Sequence, residues 1–218
     1  MTAWRAFALL AAVPIAQYAT SAARRFSASL ASVEPSAHRL EPARPGIWVT
    51  AFVSAALLTA VWFAPSDAGS GAILVFFGGL AYLAMTDMAA LLIPIWPARL
   101  LILGGLAAQG LSGWPQVLVH ALAAGGGWAL FRGLEFAYLR WRGRLGLGSG
   151  DALIAAAIGA WLGPAGLAWS VCTGCAATLL VNLIAFGWSS TRPMPLAPGL
   201  AIGAFAAFLG QSLLGNTW

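Results

Sequence analysis

Lysine is absent from this 218-residue chain; all eleven basic residues are Arg, against six acids. Charged residues make up 8% and hydrophobic residues 61%. That leaves too little polar surface to coat a soluble globule, so the chain reads as a membrane protein. The mean hydropathy of +0.85 agrees. Histidine and cysteine are also scarce. His38 and His120 are far apart, and Cys172 and Cys175 form a single CxxC inside an apolar run. A redox or metal role needs an exposed thiolate and partner ligands. We therefore expect no metal site, no cofactor, and two cysteines that are simply small residues facing lipid or a neighbouring helix. A net charge of +5 would suggest nucleic acid in a soluble protein. Here it sets topology and meets acidic headgroups, so the bilayer is the expected partner and nucleic acid is not.

What the chain does have is apolar runs, close to the length a spanning helix requires, along its whole length. No internal repeat of fixed period is present. Segment one is about residues 6–23, followed by a short polar loop over 21–46 with Arg24, Arg25, Arg39 and Arg44. Segment two is about 47–64, closed by a turn over 65–70. Segment three, 71–86, ends at Asp87. The stretch 88–97 holds Pro94 and Pro97 and cannot be one regular helix. Segment four is about 98–111. Segment five, 116–134, carries Gly125-Gly126-Gly127, a surface suited to close helix contact. A polar loop over 135–150 precedes a short segment six, 151–162, which breaks at Gly163-Pro164. Segments seven and eight are about 165–187 and 196–214. The expected fold is all-α: one membrane-embedded domain over 1–218, a polytopic bundle of about eight transmembrane segments.

Counting arginines by side orients this bundle. With the amino terminus outside and eight alternating spans, ten arginines fall inside and only Arg5 outside, a strong positive-inside signal. Segment one resembles a secretory signal, with Arg5, an apolar core and Ser21-Ala22-Ala23. Cleavage there would invert every later loop, so segment one is kept as a span. Asp87 and Asp151 then both fall at the inner face, while Asp67 falls outside in a turn.

An acid at the mouth of a membrane helix is costly and calls for a reason. A lone Asp at a helix start is often only a cap, stabilising its helix by about 1 kcal/mol. Two acids on one face invite a different reading. Carboxylates within hydrogen-bond reach share one proton and titrate as a unit. Such a dyad can activate water with one oxygen and protonate a leaving group with another, the logic of aspartic proteolysis. Gly148 and Gly150 lie beside Asp151, and glycine lets a backbone, such as a substrate's, approach closely. Glu135 has Arg132 at helical spacing and reads as an ion pair.

Gly148-Ser149-Gly150-Asp151 matches the motif of the type IV prepilin peptidases, the Gly-x-Gly-Asp membrane aspartic proteases. The run 155–163 is similar to the family's segment just after that motif. Asp87 with Ile93-Pro94 resembles the family's first motif, and Pro195 to Phe205 resembles its final helix. The resemblance covers about residues 47–210. It implies that Asp87 and Asp151 are the catalytic pair, supported by Gly148, Gly150 and Pro94. It also implies removal of a short basic leader, typically after a Gly and before an apolar helix, from pilin-like or pseudopilin precursors at the cytoplasmic face of a bacterial inner membrane, in a multi-pass protein serving a type IV pilus or type II secretion.

Three departures stand out. Leu153 takes the place of the usual Lys, and Ile95 the place of the usual Asn. The loop over 24–46 lacks the cysteines of the larger members' methyltransferase domain, which implies a short, peptidase-only form. The alternatives are a catalytically inactive, peptidase-like assembly protein and, from another class, a small transporter using the acids as a proton relay.

Overall fold

The computed structural model describes residues 3–33, 47–62, 67–143, 148–186 and 195–214. Every element among them is helical: α1 (Ala3–Val33), α2 (Ile47–Trp62), α3 (Asp67–Ala90), α4 (Ile95–Gly110) and α5 (Trp114–Arg142). The helical stretch Ser149–Phe186 contains Gly163 at φ 66, ψ −170, outside any helical conformation. It is therefore two helices, α6 (residues 149–162) and α7 (residues 164–186). The last helix, α8, is Ala197–Leu213. Among the described residues three stretches are long and apolar enough to cross a membrane by length and composition, Gly71–Ala90, Trp114–Arg142 and Ser149–Ile184, the last of them divided at Gly163.

Gly163 reverses the chain. A Cβ on Gly127 of α5 would lie 3.1 Å from the Ala155 carbonyl oxygen and 3.0 Å from Leu167 Cδ2. Residues 155 and 167 would be about 18 Å apart along one straight helix. Only a hairpin brings both to the same glycine. The backbone pair at Gly163 belongs to a region open essentially to glycine alone. Pro164 follows at a first helical position, where its missing N–H costs nothing. His120 of α5 fastens the turn, its Nδ1 lying 3.1 Å from the Ala160 carbonyl oxygen.

The core gathers around α6, which is buried over nearly its whole length. Trp161 donates its indole N–H to the Leu101 carbonyl oxygen at 2.7 Å and stacks on Phe76 at 5.1 Å. Gly105 leaves room for that ring. A Cβ on Gly159 would meet the Ala123 backbone at 2.7 Å, so α5 and α6 pack at backbone distance. Small residues allow that approach where lipid offers no hydrophobic drive to assemble. Of the expected contact surface at 125–127, only Gly127 takes part; Gly125 and Gly126 meet nothing within 4 Å. Many outward side chains are large and apolar, among them Leu122, Trp128, Leu179 and Ile184, as lipid contact requires.

The helices run further than the apolar runs. α1 continues through Arg24 and Arg25 to Val33, so part of the expected 21–46 loop is helical; residues 34–46 lie outside the described residues. α5 continues through Glu135 to Arg142, so most of the expected 135–150 loop is helix. There the polar side chains sit on helices that outrun the apolar segment. α3 begins at Asp67, where a turn is expected, and runs to Ala90, placing Asp87 in its last turn rather than at its end. Cys172 and Cys175 are free and exposed on α7.

Candidate active site

Asp87 and Asp151 arrive from different parts of the chain. α3 carries Asp87 in its final turn, and Leu91 closes that helix by donating its N–H to the Asp87 carbonyl oxygen at 2.8 Å. Leu91 is left-handed, at φ 52, a conformation that costs an L-residue about 1–2 kcal/mol. The strain lies four residues from Asp87, in the turn that carries Ile93 and Pro94. Pro94 is extended, at φ −67 and ψ 124, and stands immediately before α4. Ile95 is 53% exposed.

α6 starts at Ser149, so Asp151 is its third residue. Its Oδ2 accepts the Gly148 N–H at 3.1 Å, reaching back to the residue before the helix as the acid of a capping box does. Asp151 therefore does stabilise its helix end, and this is compatible with further chemistry because one carboxylate oxygen is used. Gly150 provides the contact between the two motifs. A Cβ there would lie 2.6 Å from Ile93 Cβ. The close backbone approach that Gly150 permits is thus to Ile93.

The final helix supplies the third part. Ala197 donates its N–H to Asp87 Oδ2 at 3.0 Å, and the Leu196 amide also interacts with this carboxylate. Asp87 sits on the amino terminus of α8, where unpaired N–H groups and the helix dipole favour negative charge. This anchor has no signature in the sequence, because any residue at 197 except proline carries the same N–H. Asp87 is 6% and Asp151 7% exposed, and the charge of Asp87 acts on Asp151. Two buried carboxylates, each held by a backbone amide, therefore lie near enough for the charge of one to act on the other.

Glu135 pairs with Arg132 at 2.5 Å across one helical turn, and its charge also reaches Asp151. Leu153 is half-buried and packs against the apolar core. Among the described residues no group of three metal-ligating side chains occurs.

Comparison with known proteins adds to this geometry. The chain is 32% identical over 171 residues to a protein of Aeromonas hydrophila named prepilin leader peptidase/N-methyltransferase, covering 76% of this chain and 57% of that protein. It is 31% identical over 151 residues to a protein of the same name from Aeromonas salmonicida (strain A449), covering 66% of this chain and 51% of that one. This similarity supports the prepilin peptidase family. The chain spans about half the length of the curated relatives it matches. No family model and no solved structure matches it.

Proposed function

We propose that this chain is a membrane aspartic endopeptidase that removes the leader from pilin-like or pseudopilin precursors at the cytoplasmic face of the bacterial inner membrane. The observation that carries the reading is that Asp87 and Asp151 are both buried and lie near enough for the charge of Asp87 to act on Asp151. The similarity to proteins named prepilin leader peptidase supports it.

In this reading one carboxylate is ionised and the other protonated. The ionised carboxylate takes a proton from water as the water oxygen attacks the scissile carbonyl carbon. The protonated one gives its proton to the carbonyl oxygen. Collapse of the tetrahedral species then breaks the C–N bond, with a proton passing to the leaving amine. No cofactor enters this chemistry. The backbone amides of Gly148 and Ala197 hold one oxygen of each carboxylate, which fixes the pair in orientation. We read the bundle as eight alternating spans with the amino terminus outside, and the chain as a peptidase without methyltransferase activity, since residues 24–46 contain no cysteine.

Asp87→Asn and Asp151→Asn each test the assignment. Either substitution should abolish cleavage of a co-expressed precursor, read as the loss of a size shift in membranes. Processing at the parental rate by either variant would refute the dyad. A second reading, an inactive assembly protein, is favoured by Leu153 in the apolar core; a parental protein that binds precursor and never cleaves it would establish that alternative.

A further inference from the structure

A cavity of about 400 Å³ lies between α2, α3 and α8, lined entirely by apolar residues. Its lining repeats with helical spacing on every wall. Residues 53, 56 and 57 come from α2, residues 77, 80, 81, 84, 85 and 88 from α3, and residues 198, 201, 202 and 205 from α8. A lining with that period on three packed helices is a trough running along their axes. α3 packs against both α2 and α8 and forms its floor. From residue 77 to residue 88 the floor is about 16 Å long, three helical turns.

The two ends of the trough differ. At one end Phe77 and Phe205 meet edge-on at 5.7 Å. At the other end are Met88 and Pro198. These are the sequence neighbours of Asp87 and Ala197, the pair joined by the 3.0 Å hydrogen bond. The trough therefore ends level with the Asp87–Ala197 hydrogen bond, one residue along each helix from it, although neither aspartate lines it. Ala56, Ala81, Ala84 and Ala201 line it, so a helix backbone can approach closely.

We propose that this trough seats the first three turns of the precursor's apolar helix, with the scissile bond held at Asp87 and Asp151. The inference rests on the peptidase reading, in which the peptide bond to be cut stands immediately before an apolar helix. Nearness of trough and carboxylate favours this occupant over a lipid chain. A helix in the trough has its first residue at the aspartates, whereas an acyl chain gains nothing from ending there. Recognition takes the helix-in-groove form, with anchors at i, i+3, i+4 and i+7.

The test uses the whole protein in phospholipid vesicles and a synthetic precursor: a basic leader ending in Gly, then a 20-residue Leu/Ala helix. A photo-crosslinking phenylalanine replaces Ile202 on the trough wall or, as a control, Ile184 on the lipid-facing side of α7. Crosslinks from position 202 should map to the first eleven or so residues after the cleavage site, and position 184 should give none. Ala201→Trp, which fills the trough, should lower kcat/KM for this precursor at least tenfold. Crosslinks from 202 to lipid alone or to the leader overturn the proposal, as does parental cleavage by Ala201→Trp. In either case precursor cleavage by the parental protein leaves the peptidase reading standing. A parental protein that crosslinks through 202 without cleaving overturns the peptidase reading and keeps the trough as a helix-binding site.

Discussion

Gly150→Ala is the substitution that most directly tests how the two aspartates are held in register. A methyl group at 150 would stand 2.6 Å from Ile93 Cβ, 2.8 Å from Cδ1 and 3.1 Å from Cγ1. Carbons in contact prefer about 3.5–4.0 Å, so the gap must widen by about 1 Å. Rotating Ile93 relieves the Cγ1 and Cδ1 contacts but leaves Cβ, which is fixed to the backbone. The displacement therefore falls on the 91–94 turn or on the start of α6. These are the segments that position Asp87 and Asp151. Overpacking of this size costs about 1–3 kcal/mol of stability, whereas a 1 Å misplacement of reacting groups costs about a hundredfold in rate. Gly150→Ala should accordingly insert and fold, yet cleave precursor about a hundredfold more slowly in a vesicle assay with protein in excess. Ile93→Gly removes all three clashing carbons, so the double variant should recover at least tenfold over Gly150→Ala alone. Ile93→Ala keeps Cβ and should not. Parental activity in Gly150→Ala, or equal rescue by Ile93→Ala and Ile93→Gly, would refute the idea that this contact sets the spacing of the pair.

Gly163→Ala places a side chain at φ 66, ψ −170, which should cost about 1–3 kcal/mol and show as a lower melting temperature in detergent. Trp161→Phe keeps the stacking on Phe76 but loses the 2.7 Å bond to the Leu101 carbonyl oxygen; because that carbonyl lies inside α4 and keeps its helical partner, the loss should cost about 0.5–1.5 kcal/mol by the same measurement. His120→Ala removes the contact to the Ala160 carbonyl oxygen at about 1 kcal/mol. Because His120 acts at the hairpin turn, precursor cleavage at a permissive temperature should stay within about twofold of parental; a larger loss there would mean that the turn controls the site.

The apolar runs were legible because lipid accepts little else, and each of the eight helical segments among the described residues falls on one of them. Helix ends were not. Arg24, Glu135 and Arg140 read as loop residues, yet they lie on α1 and α5; a hydropathy pattern marks where a helix leaves lipid, not where its hydrogen bonding stops. The break at Gly163-Pro164 was visible, and counting segments six and seven as alternating spans already asks the chain to reverse there; what the sequence does not show is the Gly163 conformation that turns it. Asp87 and Asp151 stood out as acids in apolar surroundings. What holds them did not: the Ala197 and Gly148 amides are backbone groups, and the Ile93–Gly150 contact joins residues 57 positions apart.

Helix lengths, taken with the contacts between helices, set the depth of the pair. α1 and α3 run parallel, with Gly78 against Ile15, which puts Asp87 level with about residue 24; α1 continues to Val33. α5 and α6 run antiparallel, with Gly127 against Ala155, which puts Asp151 level with about residue 131; α5 continues to Arg142. The start of α8 is level with Thr178, through its contact with Gly199, and α7 continues to Phe186. Three separate helices thus extend about 12–16 Å beyond the carboxylates; Arg140 and Arg142 ride on the extension of α5, whereas Arg24, Arg25 and Arg132 stand level with the pair. If Arg24, Arg25 and Arg132 mark the headgroup level, as the positive-inside pattern requires, the aspartates lie at that level, and the ends of α1, α5 and α7 stand beyond it. Both carboxylates are nonetheless buried at that level, so it is the helices packed around them, rather than acyl chains, that keep water from them and make two neighbouring acids costly.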